Sequence, residues 1–290
     1  MTQSTAITSR IHLPKYQRRK ATNRIAMTAT ILSVIFGLFW LVWILITLFG
    51  HGLSGMMSMP IFTMDTPAPM TDGGLRNAIV GSALLSFFGL LIGTPIGILT
   101  GVYLAEIDQK SWLSRSTRFM TDVLLSAPSI VIGLFVFALM VHGRGFSGWA
   151  GVVALAIIVI PVVIRTTENM LMLIPNHLRE AGYALGAPKY KLIGKVTLKS
   201  AQAGIITGVL LAFARIAGET APLLFTALNN QYFSTDMSQA IGNLPNTIYQ
   251  FAMSPYDNWH ALAWAAALLI TFAVLTLNVI ARIISARAEK

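Results

Sequence analysis

Pro175-Asn176-His177-Leu178-Arg179-Glu180-Ala181-Gly182-Tyr183-Ala184-Leu185-Gly186-Ala187-Pro188, continued by Lys189–Ser200, is a basic insert between two apolar runs. Asn176 can cap a short helix over His177–Leu185, and Gly186 ends it from the C′ position. Ala187-Pro188 then starts a second short helix, which the sequence ends near Gly194. Two short helices joined at a glycine make a compact knob, amphipathic through Leu178, Ala181 and Leu185. Such a knob fits a partner's groove; with no partner it is an interfacial hairpin resting on headgroups.

On both sides of this knob the chain is built for lipid. Hydrophobic residues are 55% and charged residues 11% of 290, and mean hydropathy is +0.68. A soluble domain of this length carries about a quarter charged residues. Runs able to span, at roughly 17–25 apolar residues each, lie at 26–49, 78–104, 119–141, 148–164, 201–225 and 261–284. The expectation is an all-α membrane protein of six transmembrane helices. The first run is too long and too aromatic for a signal-peptide core. With no cysteine and five scattered histidines, thiol chemistry and a metal site are not expected.

The net charge of +10 would suggest nucleic acid in a soluble protein, but its distribution excludes that reading. Arg10, Lys15, Arg18, Arg19, Lys20 and Arg24 crowd the N-terminal tail, and Arg165, Arg179, Lys189, Lys191, Lys195 and Lys199 flank or fill the knob. Lys110, Arg115 and Arg118 fall between spans two and three, and Arg282, Arg287 and Lys290 end the chain. The intervening segments hold only Arg76 and Arg144. The positive-inside rule then puts both termini and the knob in the cytoplasm.

The segments read as a basic cytoplasmic tail 1–25, disordered or lying on anionic lipid; an accessory helix 26–49; an outer Gly/Pro-rich loop 50–74; a five-helix core 75–284 carrying the cytoplasmic loop 175–200; and a tail 285–290. Gly89, Gly93, Gly97 and Gly101 recur every four residues, which suits close helix packing or a hinge. Pro95 predicts a kink, and Ala127-Pro128 and Ile160-Pro161 predict breaks in spans three and four.

Two pairs of charges fall inside spans. Arg215 lies fourteen residues beyond Ala201, about 21 Å along a helix and past the middle of a ~30 Å core. It must therefore face protein or water. Glu219 shares its face at i, i+4. Either Arg215 presents its donors to an anion in transit, or the pair satisfies itself and locks two helices. Gly218 and Pro222 break this helix beside the charge. Arg165 and Glu168, at i, i+3, sit at the other end of span four, where Arg165 either snorkels to headgroups or makes a second anion contact.

The knob's core, Glu180-Ala181-Gly182-x3-Gly186-x9-Val196-Thr197-Leu198, resembles the EAA loop of ABC importer permeases, with Gly182 for Ala, Val196 for Ile and Lys199 for Pro. Arg165–Leu171, Gly218–Thr226 and Leu244–Tyr249 further resemble signature stretches of the PstA-type phosphate permeases. The resemblance implies a type I permease core in the bacterial inner membrane, paired with a PstC-like permease, a cytoplasmic ABC ATPase dimer and an external phosphate-binding protein. ATP would be bound by the partners and no cofactor by this chain. Arg215, Glu219, Arg165, Glu168 and Thr220 are the expected substrate path. Arg179, Glu180, Ala181, Gly182, Leu185 and Gly186 are the expected ATPase-coupling set. The outer loops are acidic (Asp65, Asp72, Asp236, Asp257), so the binding protein would have to deliver the anion.

No Walker A run is present, so the chain is not expected to hydrolyse ATP. Three rivals remain. Another oxyanion, sulfate or molybdate, would use the same machinery. A passive anion channel explains the arginines and leaves the knob without a purpose. An intramembrane serine protease would need Ser147, in Gly145-Phe146-Ser147-Gly148, to meet His260.

Overall fold

The computed structural model describes residues 13–288, which are helices joined by irregular segments with no strand among them. Residues 13–50 form one unit and 51–288 another. Helix α1, Leu13–Ser58, supplies all of the first unit. Most of its apolar side chains, among them Phe36, Phe39, Trp40 and Trp43, are exposed. The helix begins well before residue 26, because Lys15–Arg24 contains no helix breaker and Pro14 stands in the first turn, where its missing N–H costs nothing. Lys15, Arg18, Arg19, Lys20 and Arg24 are thus helical, not part of a disordered tail; the tail residues 1–12 lie outside the described residues.

α1 also outlasts the expected span. Gly52 and Gly55, which suggest a loop in sequence, are helical and pack against α11 (Asp257–Ala288). A Cβ on Gly52 would stand 2.7 Å from the Leu268 Cβ, and one on Gly55 would stand 2.5 Å from the Ala261 carbonyl oxygen. Glycine here serves close approach.

The centre of the second unit is the seam between α2 (Arg76–Val102, extended by a π-turn, Tyr103–Ile107) and α5 (Gly148–Met172). The four-residue glycine ladder of α2 faces a four-residue ladder on α5. Cβ atoms on Gly93, Gly97 and Gly101 would lie 2.9, 2.6 and 2.7 Å from those of Val159, Val163 and Thr167. The plain packing function of the ladder is therefore the one observed. Pro95 and Pro161 both stay inside continuous helices, so the break expected at Ile160-Pro161 does not occur; Pro161 is buried, whereas Pro95 is exposed.

The third span does break. α3 (Trp112–Ser126) and α4 (Ser129–Val136, with a π-turn to Val141) meet at 105° across Ala127-Pro128. Five helices among the described residues are long and apolar enough to cross a membrane, and the count is six if this bent pair is taken as one broken span. After α6 (Asn176–Ala184) and α7 (Lys189–Leu192), a π-turn over Ile193–Thr197 runs directly into α8 (Leu198–Ile216). The helix expected to stop near Gly194 instead continues to Ile216. α8 packs on α5 through Gly204 and Gly208, where a Cβ on Gly208 would stand 2.5 Å from Thr166 Oγ1. α9 (Ala221–Thr226) follows the break at 217–220 and holds Pro222 against Gly133 of α4. α10 (Leu244–Ala252) then leads into α11.

Candidate functional site

The insert folds as two short helices turned at Gly186, whose φ of +76° is the left-handed value that favours glycine. The turn closes in a Schellman pattern, with Ala187 N donating to the Gly182 carbonyl at 3.1 Å and Gly186 N to that of Tyr183 at 2.9 Å. Pro175 occupies the N-cap, so Asn176 begins the helix and does not cap it. No residue of α6 is buried. Leu185 is 88% exposed, with Tyr183, Glu180, Ala181 and Tyr190 also exposed. Leu178 instead packs inward beside Leu171 and Ile174, and Gly182 lies against Leu192. The hairpin's inner and outer apolar residues therefore do not form the single face expected.

Arg179 fastens this hairpin to the bundle. Its Nη2 donates to Glu106 Oε1 at 2.7 Å and to the Leu171 carbonyl at 2.8 Å, and its Nη1 to the Ile174 carbonyl at 2.7 Å. Glu106, in the π-turn ending α2, is buried. Hydrogen bonding to Glu106 raises the Arg179 pKa above the ordinary arginine value. Arg179 thus reaches inward, whereas its neighbour Glu180 faces outward.

At the same end of the bundle four charges close on one another. Glu168, 2% exposed, accepts from Arg118 Nε at 2.6 Å and from Arg165 Nη1 at 3.3 Å. Arg165 Nη2 also donates to Asp122. Arg118 continues the network to the carbonyls of Gln109 (2.8 Å) and Leu104 (2.9 Å). Arg165 is therefore paired with two carboxylates. The buried charge is tolerated because each member has a partner.

Arg215 and Glu219 are arranged differently. Their closest approach is 3.8 Å, longer than a hydrogen bond, and Arg215 is 41% exposed. α8 ends at Ile216, and Gly218 has open space where a side chain would be. Thr220 sits at the N-terminus of α9, half-buried, its carbonyl accepting from Leu224 N at 3.0 Å. Ile216 lies beside Gly89 and Leu155. That level is about 20 Å along α2 from Arg76 by helical rise, near mid-span. The two arginines stand at different depths, as the sequence indicates.

Three charged residues of this arrangement, Arg118, Asp122 and Glu106, escape a reading of the sequence. They lie 50, 43 and 73 residues from their partners, and nothing local marks them. Ser147 and His260 are not brought together as a catalytic pair. Ser147 Oγ caps α5 by accepting from Ala150 N at 3.2 Å, and His260 Nε2 lies 2.7 Å from the Ser254 carbonyl. On the outer-loop side, Asp65 is tied to Arg76 at 3.0 Å. Among the described residues no three acidic or histidine side chains gather to hold a metal ion.

Residues 93–290 match the family of binding-protein-dependent transport system inner membrane components. The chain is 56% identical over 288 residues to the phosphate transport system permease protein PstA of Yersinia pestis, covering 99% of this chain and 97% of that one. It is 39% identical over 212 residues to a probable phosphate transport permease of Methanocaldococcus jannaschii, covering 72% and 75%. A bacterial alginate ABC transporter, crystallised with its pentasaccharide-bound periplasmic protein, is similar in fold at 16% identity, TM-score 0.66, covering 94% of this chain and 98% of that one. An inward-facing methionine ABC transporter matches at 22% identity, TM-score 0.58, covering 72% and 92%.

Proposed function

The chain belongs to the binding-protein-dependent transport system inner membrane components, and we infer from that membership that it is the membrane-spanning permease subunit of an ATP-driven importer of inorganic phosphate. It is not itself an enzyme; hydrolysis belongs to a separate subunit. The observation that carries the substrate is the near-full-length identity to the phosphate permease of Yersinia pestis, joined by a match over 72% of the chain to the probable one of Methanocaldococcus jannaschii. No observation favours sulfate, molybdate, a passive channel or a protease.

The path runs past Arg215, Glu219 and Thr220 at mid-depth and past Arg165 and Glu168 nearer the hairpin. Arg215 offers planar donors suited to a phosphate, and the open space at Gly218 leaves room for one. Both termini and the hairpin are cytoplasmic, in keeping with the distribution of Lys and Arg. The exposed Leu185, Tyr183, Glu180 and Ala181 dock on an ATPase dimer, with Gly182 and Gly186 setting the turn. Arg179 holds the hairpin to α2. A second, PstC-like permease completes the path, and an external phosphate-binding protein delivers the anion past the acidic outer loops. Closure of the ATPases moves the hairpin, and the unbroken helix from Lys189 to Ile216 carries that movement to Arg215.

The test is labelled phosphate uptake at low concentration in cells lacking this chain, restored with wild type or Arg215→Gln, with sulfate as control. Rescue by wild type alone is expected. A sulfate defect without a phosphate defect would overturn the substrate and keep the transport class.

A further inference from the structure

Within the four-charge cluster the contacts are not equally held. Glu168 is buried and grips Arg118, which is in turn bonded to the carbonyls of Leu104 and Gln109. Removing Arg118 would take a close partner from the buried Glu168 charge. Asp122 is 54% exposed and its partner Arg165 33% exposed, so this contact is the one water can replace at little cost.

Asp122 also occupies a particular place on Arg165. Nη1 is held by Glu168, whereas Nη2, which with Nε forms one edge of the guanidinium fork, is held by Asp122. That edge is the one able to take two oxygens of a phosphate at once. A carboxylate and a phosphate cannot share it, since both are anions seeking the same donors. With Asp122 in place the cluster holds two arginines and two carboxylates and is neutral. With Asp122 withdrawn it presents one uncompensated positive charge.

The backbone supplies a way to move Asp122. It sits on α3 four residues before Ser126, and beyond the 105° bend α4 packs Gly133 directly on Pro222. Pro222 is three residues past Glu219. The α3–α4 elbow therefore reaches from the Arg165 site to the flank of the Arg215 site.

Resting on the reading that Arg165 lies on the phosphate path, we propose that Asp122 is a positioning residue for release. It swings off Arg165 when the anion arrives, then re-pairs with Arg165 and expels the anion toward the cytoplasm. Arg165 and Asp122 thus act as an exchange pair, and the resting neutral cluster prevents cytoplasmic phosphate from occupying the path.

The experiment uses the whole importer in proteoliposomes, with permease pair, ATPase and binding protein, and measures initial uptake against rising phosphate inside. Asp122→Asn, and Asp122→Ser as a second variant, are expected to lower the internal phosphate that halves uptake by about tenfold, the scale of one charge-assisted contact. Asp122→Glu should restore the wild-type value. A lower initial rate with unchanged half-inhibition in both neutral variants would mean a merely structural role and overturn the proposal. Arg165→Gln separates the two readings. If it transports and responds to internal phosphate like wild type, Arg165 is not on the path. If it fails while the Asp122 variants keep wild-type half-inhibition, only the release role falls.

Discussion

Arg165 and Arg215 are both followed on their own face by a glutamate, at i+3 and i+4, yet the two sites are opposites. Arg165 is held by carboxylates from two helices, in a cluster whose Glu168 is buried. Arg215 stands on a helix end, beyond hydrogen-bond reach of Glu219 and 41% exposed. What separates them is the neighbouring element: α3 brings Arg118 and Asp122 to the first, and the second is bordered by a chain break. One site is closed by its own partners, the other is left open.

The difference can be broken first by transport. Arg215→Gln should cut phosphate uptake by about a hundredfold or more, since it removes the charge from the open site. The complex should still assemble, as judged by co-purification with its partners; wild-type uptake would erase the functional half of the contrast. Next comes stability. Glu168→Gln takes the carboxylate from Arg118 and Arg165, both partly buried, and should cost about 1–3 kcal/mol, visible as a lowered unfolding temperature of the purified complex. Smaller is the effect of Arg179→Ala, whose several hydrogen bonds anchor the hairpin to Glu106 and two carbonyls. Uptake per ATP hydrolysed should fall about tenfold with hydrolysis retained; a proportional fall in both would show a role in assembly instead of coupling. The smallest expected effect sharpens the contrast most. Glu219→Gln should change stability by less than about 1 kcal/mol, as befits a long, partly solvated pair, while uptake kinetics change.

Features set by neighbours in the chain were legible in the sequence. The crossings, the turn at Gly186, the break at Pro128 and the interruption after Ile216 follow from hydropathy, glycine and proline. Pro161 misleads because a proline that stays inside a continuous helix has the same letter as one that ends it, and Gly52 and Gly55 because a glycine that admits a neighbouring helix has the same letter as one that bends a loop. The arginines declared themselves by lying in apolar runs. The charges that join them did not: Asp122, Arg118 and Glu106 are ordinary charges until folding closes separations of 43 to 73 residues.

The helix that runs without interruption from Lys189 to Ile216 makes the azimuth of Arg215 a property of the chain twenty residues away. One alanine inserted after Lys199 would turn everything beyond it by about 100° and carry Arg215 off its face. Seven would nearly restore the heading and displace the guanidinium by about 10 Å along the axis instead. Angle and depth at this charge are thus separately adjustable by counting residues, and the helix has little freedom to correct either.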